Sequence, residues 1–152
     1  MTTQEFIEKN IGYNHNTTKQ CSSVFVDTNG IVYSYGYHYP LAAIVNGKGF
    51  VNTRGYSVTT AKHISWAYQA LAGRLGSHNV YGLELSMGFI PVNMLADLHT
   101  TQRRITELLL KKKRKNTRVY QDLAYRLEQT LNTRSVVRNI INEQVLQEQM
   151  QP

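Results

Sequence analysis

Two Asn-Gly dipeptides, Asn29-Gly30 and Asn46-Gly47, constrain this chain more than any other feature of it. Asn and Gly tolerate the positive φ of tight primed turns, so each pair marks a hairpin when it lies between apolar runs. Asp27-Thr28-Asn29-Gly30 separates Val24-Phe25-Val26 from Ile31-Val32-Tyr33, and Asn46-Gly47-Lys48-Gly49 separates Leu41–Val45 from Phe50–Thr53. These signals predict a meander of about four short strands. If residues 31–40 were extended throughout, Ile31, Tyr33, Tyr35, Tyr37 and Tyr39 would form a ladder on one face, opposite Val32, Ser34, Gly36, His38 and Pro40. Gly36 and Pro40 predict that regular pairing ends before His38. On a small sheet such tyrosines fill the core with their hydroxyls bonded at its edge, and Tyr33 and Tyr35 are assigned there.

After the meander, Thr59 or Thr60 is expected to cap a helix over residues 60–75, whose packed stripe is Ala61, Ile64, Tyr68, Leu71 and Leu75. Its first turn carries Lys62 and His63, and Arg54, Tyr56 and Ser57 enter from the preceding loop. Backbone N–H groups and cations together attract anions, so Arg54, Tyr56, Thr59, Thr60, Lys62 and His63 form a candidate phosphate contact. The structural alternative is an ordinary cap, a solvated Lys62 and a surface or half-buried His63.

The residues Tyr33-Ser34-Tyr35-Gly36, His38-Tyr39-Pro40-Leu41-Ala42, Asn52-Thr53-Arg54, Tyr56-Ser57-Val58-Thr59-Thr60 and Lys62-His63 resemble the signature of a family of small uncharacterised proteins of bacteriophages and bacterial mobile elements. The resemblance covers roughly a third of the chain. That family has no agreed biochemical function. The resemblance therefore implies a phage or mobile-element setting in a bacterial cytoplasm and carries no catalytic role to any residue.

Elsewhere the first half is quieter. Residues Thr3–Lys9 predict a short helix, and the polar stretch Asn10–Ser23 reads as a loop. The N-terminal residues lack the basic and apolar regions of a signal peptide, and no apolar run approaches a membrane span, which predicts a soluble cytoplasmic protein. The single cysteine, Cys21, excludes an internal disulfide. Five scattered histidines without ligand-like spacing argue against a metal, and no cofactor is expected. Gly73, Gly76, Gly82 and Gly88 are spaced too irregularly for a nucleotide-binding loop; Val80–Leu85 reads as a short strand or a connector. His15-Asn16-Thr17 and His99-Thr100-Thr101 share a His-x-Thr form, but a paired-histidine phosphoesterase needs the two to converge, and one lies in a loop and the other in an amphipathic helix.

Charge separates the two halves. Residues 1–97 hold six Lys or Arg against five Asp or Glu, and residues 98–152 hold eleven against five, so the formal net charge of +7 belongs mostly to the C-terminal part. Pro91 suits the first turn of a helix whose face is Met94, Leu95, Leu98, Ile105, Leu108 and Leu109. Lys111-Lys112-Lys113-Arg114-Lys115 interrupts the pattern. A second helix begins with Thr117 as cap and buries Tyr120, Leu123, Ala124, Leu127 and Leu131. A third is expected after Asn132 or Thr133, presenting Val136, Val137, Ile140, Ile141 and Val145. Arg103, Arg104 and Arg118 join the five adjacent cations, and Glu107 is the one acid between Arg103 and Arg118. Such a cluster can neutralise several phosphates; it can equally be a solvated turn that favours the end of the preceding helix dipole.

The fold class expected is α+β: a small antiparallel meander packed with one helix over residues 1–90, followed by a basic helical segment over residues 91–152 packed on it. Three functional readings follow. The first is a non-enzymatic accessory protein that binds nucleic acid through its basic surface, with tyrosines available to stack on unpaired bases. The second is a protein-interaction module that inhibits or redirects a host or anti-phage defence protein. The third is a metal-independent ribonuclease with His38 or His63 as acid or base and Lys62 or Arg54 stabilising the developing charge, which requires them to line one cleft. No membrane partner is expected, and the periodicity of the C-terminal helices leaves homo-oligomerisation open.

Overall fold

The structure, a computed structural model, describes residues 1–35, 39–54 and 58–151. It comprises two compact units, Met1–Phe89 and Ile90–Pro152.

The first unit is a six-stranded sheet in sequential order, β1 (Lys19–Cys21), β2 (Val24–Val26), β3 (Val32–Ser34), β4 (Tyr39–Val45), β5 (Lys48–Asn52) and β6 (Val80–Leu83). Strands β1 to β5 pair antiparallel. Both Asn-Gly signals are turns. Asn46 and Gly47 sit at φ 48° and 75° between paired Val45 and Lys48, the two-residue loop whose twist matches that of its strands. In the other, the Asp27 carboxylate accepts the N–H groups of Asn29 and Ile31, each at 2.9 Å, and Gly30 takes φ 81°. A β-carbon on Gly30 would lie 2.6–2.7 Å from the backbone of Gly12 and Tyr13, so this turn is also closed against the loop that follows the first helix.

In this unit two strands extend the expected meander, and Tyr35 is placed differently from the sequence reading. Lys19–Cys21, expected in a loop, forms the β1 edge strand, held by backbone pairing to β2 while its first two side chains stay exposed. The tyrosine run breaks before His38, as Gly36 and Pro40 predict: β3 ends at Ser34, Tyr35 takes φ 58°, and β4 begins at Tyr39. Tyr39 is therefore the buried tyrosine among the described residues of the run. Tyr33 is half-buried, and Tyr35, expected inside, is 48% exposed. Strand β6 pairs parallel to β5, because an 18-residue helix connects the two and returns the chain to the same end of the sheet.

That helix, α2 (Val58–Leu75), packs on the sheet with α1 (Thr3–Asn10) alongside. Its buried positions are Thr60, His63, Ala67 and Leu71, three or four residues apart, over a floor of Val24, Val26, Val32, Leu41 and Val51. Leu71 seats against Gly49 of β5, where an added β-carbon would lie 3.1 Å from Leu71 Cδ1. Arg74 in the last turn of α2 donates to the carbonyls of Ile11 and Glu8 and stacks over the Tyr13 ring at 4.2 Å. It thereby satisfies carbonyl groups that the end of α1 leaves open.

The second unit is a helical hairpin of α3 (Pro91–Leu110) and α4 (Arg118–Met150). Pro91 opens α3, and the Thr117 hydroxyl caps α4 by accepting from Tyr120 N at 3.2 Å. Met94, Leu98 and Ile105 of α3 and Leu123, Val137 and Ile140 of α4 are buried, and Arg134 donates to the Gln102 side chain at 2.8 Å. The third helix expected after Asn132 or Thr133 is absent: α4 continues through both. The Thr133 hydroxyl donates back to Gln129 O at 3.0 Å, a bond made inside a helix and not at its start.

Candidate functional site: a buried serine–histidine pair and a basic hairpin turn

In the first unit His63 of α2 meets Ser34 at the end of β3. His63 is 3% exposed and Ser34 fully buried, and His63 Nδ1 lies 2.7 Å from Ser34 Oγ. The ring of His63 stands between Tyr35, at 6.2 Å, and Trp66, at 5.7 Å. Burial holds the histidine below its ordinary pKa of 6.5, so the neutral ring is favoured. Nδ1 and the hydroxyl then share one proton between them, with either Ser34 or the imidazole as donor.

Next to the pair lies a second polar cluster built on Asn52, which is buried at the end of β5. Its amide donates to Pro40 O at 2.9 Å, and its oxygen accepts from the N–H groups of Arg54 and Leu85, both at 3.1 Å. The Tyr39 hydroxyl is directed at the carbonyls of Asn52, at 3.1 Å, and Arg54. Asn52 thus ties β4, the outgoing loop and the segment after β6 to one another.

The candidate phosphate residues at this end do not share a surface. Helix α2 begins at Val58, so Thr59 and Thr60 stand inside its first turn. Arg54, Thr59 and Lys62 are exposed, whereas Thr60 and His63 are buried beneath the helix. His63 is neither a surface nor a half-buried residue: successive helical positions diverge by about 100°, so its neighbour Lys62 faces water while His63 faces the sheet. Tyr56 and His38 lie outside the described residues, and with them the cleft that the ribonuclease reading needs. Of the expected stripe, Ile64, Tyr68, Leu71 and Leu75 pack on the core while Ala61 is exposed, and Thr60, His63 and Ala67 complete the packed face. Two polar residues, Thr60 and His63, continue the spacing of Ala67 and Leu71, the signal in the sequence that sets the packed face at this end of the helix.

In the second unit the candidate cations are all exposed. Lys111 to Lys115 are all exposed and form the turn from α3 to α4; Arg103 and Arg104 are exposed on the last turns of α3, and Arg118 at the start of α4. Arg103 lies about 12 Å along the helix from Lys111, so the cations spread over a patch and not a point. Arg118 Nε reaches Asp122 at 4.0 Å across exposed surface, a contact too solvated to neutralise the patch. Among the described residues no group of three or more His, Cys, Asp or Glu side chains is placed to hold a metal ion, and no helix is long and apolar enough to cross a membrane.

Residues 6–80 match the family model described as Family of unknown function (DUF8033). The DUF8033 stretch runs from α1 to the first residue of β6 and contains Ser34, Tyr39, Asn52 and His63. The α3–α4 hairpin and its cations lie outside it. No curated protein and no solved structure matches the chain at a significant level.

Proposed function

We propose that this chain is a non-enzymatic accessory protein of a phage or mobile element that binds nucleic acid in the bacterial cytoplasm through the α3–α4 turn. The observation that carries the reading is the exposure of all five residues Lys111–Lys115 at the apex of a helical hairpin, next to Arg103, Arg104 and Arg118. Cations held together on a helical scaffold neutralise phosphates and release the counterions condensed on them, which makes affinity strong at low salt and independent of sequence. Arg54, Thr59 and Lys62 supply a second, smaller contact at the start of α2. The non-enzymatic character is supported by His63, whose ring is committed to Ser34 beneath the helix while Lys62 faces outward. The setting in a phage or mobile element rests on the resemblance of the signature residues.

Fluorescence anisotropy of the purified protein with labelled DNA and RNA tests the reading. A variant with Lys111–Lys115 changed to Gln is expected to lose most of the binding, and Arg54→Ala/Lys62→Ala a smaller part. Undiminished binding by the first variant would move the site off the hairpin; cleavage of the probe would favour the ribonuclease. Failure of the parent to bind at low salt, with nuclease-resistant capture of a host or defence protein, would favour the interaction module.

A further inference from the structure

Helix α4 is longer than the helix it packs on. It has 33 residues against the 20 of α3, a surplus of 13 residues, or about 20 Å, that runs on past the start of α3. Exposure marks the same end. Beyond Ile141 every side chain of α4 is exposed except the half-buried Gln144, and Val145 and Leu146 are 45% and 57% exposed. A helix draws most of its stability from packing an apolar face, so a free end that carries one is short of a partner. On this end Arg138, Ile141, Val145 and Glu148 recur at steps of three, four and three, the spacing of the contact stripe between paired helices. Ile141 is half-buried, and Arg138, Val145 and Glu148 are exposed. Among the described residues neither Arg138 nor Glu148 has an ion-pair partner. Glu148 moreover stands in the last turn of α4, where the open carbonyls of a helix favour a cation and the chain itself supplies none.

The spacing of the stripe reads the same in both directions. A second α4 laid antiparallel sets its Val145 against Ile141 and its Glu148 against Arg138 in one register, and each contact occurs twice about a two-fold axis. A parallel copy sets arginine on arginine and glutamate on glutamate, and is disfavoured. The flanking positions Asn142, Gln144 and Gln149 are uncharged, and Glu143 lies on the opposite side of the helix from the stripe, so no like charges meet in the antiparallel register. We infer that the free end of α4, residues 138–150, pairs antiparallel with the same end of a second copy of this chain, with Ile141 and Val145 at the centre and an Arg138–Glu148 ion pair at either end. The inference is independent of the nucleic-acid reading. It sets the starts of the two α4 helices about 75 Å apart, so the pair presents its two basic turns at opposite ends. About three turns of helix bury far less than the roughly 800 Å² per partner of a standard interface, which makes the dimer weak and reversible.

Sedimentation equilibrium of the full chain, freed of nucleic acid, tests the pairing at protein concentrations up to about 1 mM. The parent is expected to show a reversible equilibrium of monomer and dimer in that range. Arg138→Glu and Glu148→Arg each turn both ion pairs into like-charge contacts and are expected to weaken dimerisation roughly tenfold or more. Helicity by circular dichroism is expected to stay that of the parent, because both side chains are exposed. The doubly changed chain, R138E/E148R, has opposite charges at both ends again, and so does an equimolar mixture of the two single variants; each is expected to associate as the parent does. A parent that stays monomeric at about 1 mM would overturn the pairing. Single variants that dimerise as the parent does, or that regain nothing when combined, would overturn the register and the surface with it. Dimerisation without nucleic-acid binding would leave this inference standing and remove the function proposed above, and binding by a chain that stays monomeric would do the reverse.

Discussion

Asn52 has an influence on the first unit out of proportion to its size. One buried amide bonds a carbonyl of β4 and two backbone N–H groups, so Asn52→Ala leaves the buried Leu85 N–H without that acceptor and removes two part-buried bonds with it. Each buried group left without a partner costs about 1–3 kcal/mol, and the variant is expected to lose about 3 kcal/mol or more in urea denaturation; a loss under about 1 kcal/mol would mean the cluster is not closed in solution. His63 makes a prediction in pH. Its native pKa lies below 6.5 because the ring is buried, so as pH falls through about 6.5 the unfolded chain takes up a proton that the native state refuses. The stability it contributes is present above that pH and is lost progressively towards the lower native pKa. His63→Gln is expected to flatten this part of the stability–pH curve; an unchanged slope would assign it elsewhere. Neither role could be read from the sequence. Asn52 shows as one polar letter at the end of a strand, and the Ser34–His63 contact joins residues 29 apart through a strand ending and a helix phase that only packing settles.

At the scale of elements, local chemistry was readable wherever a backbone conformation demanded a particular residue. Gly30 combines positive φ with a backbone on which any β-carbon would press, so Gly30→Ala is expected to cost more than the roughly 1–2 kcal/mol of the left-handed conformation alone. A thermal melt close to that of the parent would show that the loop yields. Thr117→Ala, which removes the cap of α4, is expected to cost about 1 kcal/mol, with the loss read as reduced helicity at intermediate temperature. Where tertiary packing outweighed local preference, the sequence misled. Asn132-Thr133 resembles a helix start, yet Leu123, Leu127, Thr130, Arg134, Val137, Ile141 and Gln144 recur at alternating steps of four and three and are all at least half-buried, so one continuous seam carries α4 past it. Lys19–Cys21 has the opposite problem: a polar three-residue edge strand shows no alternation because it contributes pairing and little burial.

Across the whole molecule, the two units differ in what they carry. Met1–Phe89 holds the buried Ser34–His63 and Asn52 clusters, and Ile90–Pro152 holds the exposed basic turn. The candidate binding residues of the hairpin were legible because charge needs no fold to be counted. Those at the start of α2 were legible only as a set, since the fold sends Arg54, Thr59 and Lys62 outward and turns Thr60 and His63 inward. The central claim is that the hairpin turn binds nucleic acid by neutralising phosphates, and a salt titration of DNA binding tests it most directly. On a double-logarithmic plot, affinity falls with a slope of about −0.9 for each phosphate neutralised. The account predicts a slope of about −4 to −6 for the parent and one shallower by at least about 3 when Lys111–Lys115 are changed to Gln. Equal slopes for the two proteins would contradict it.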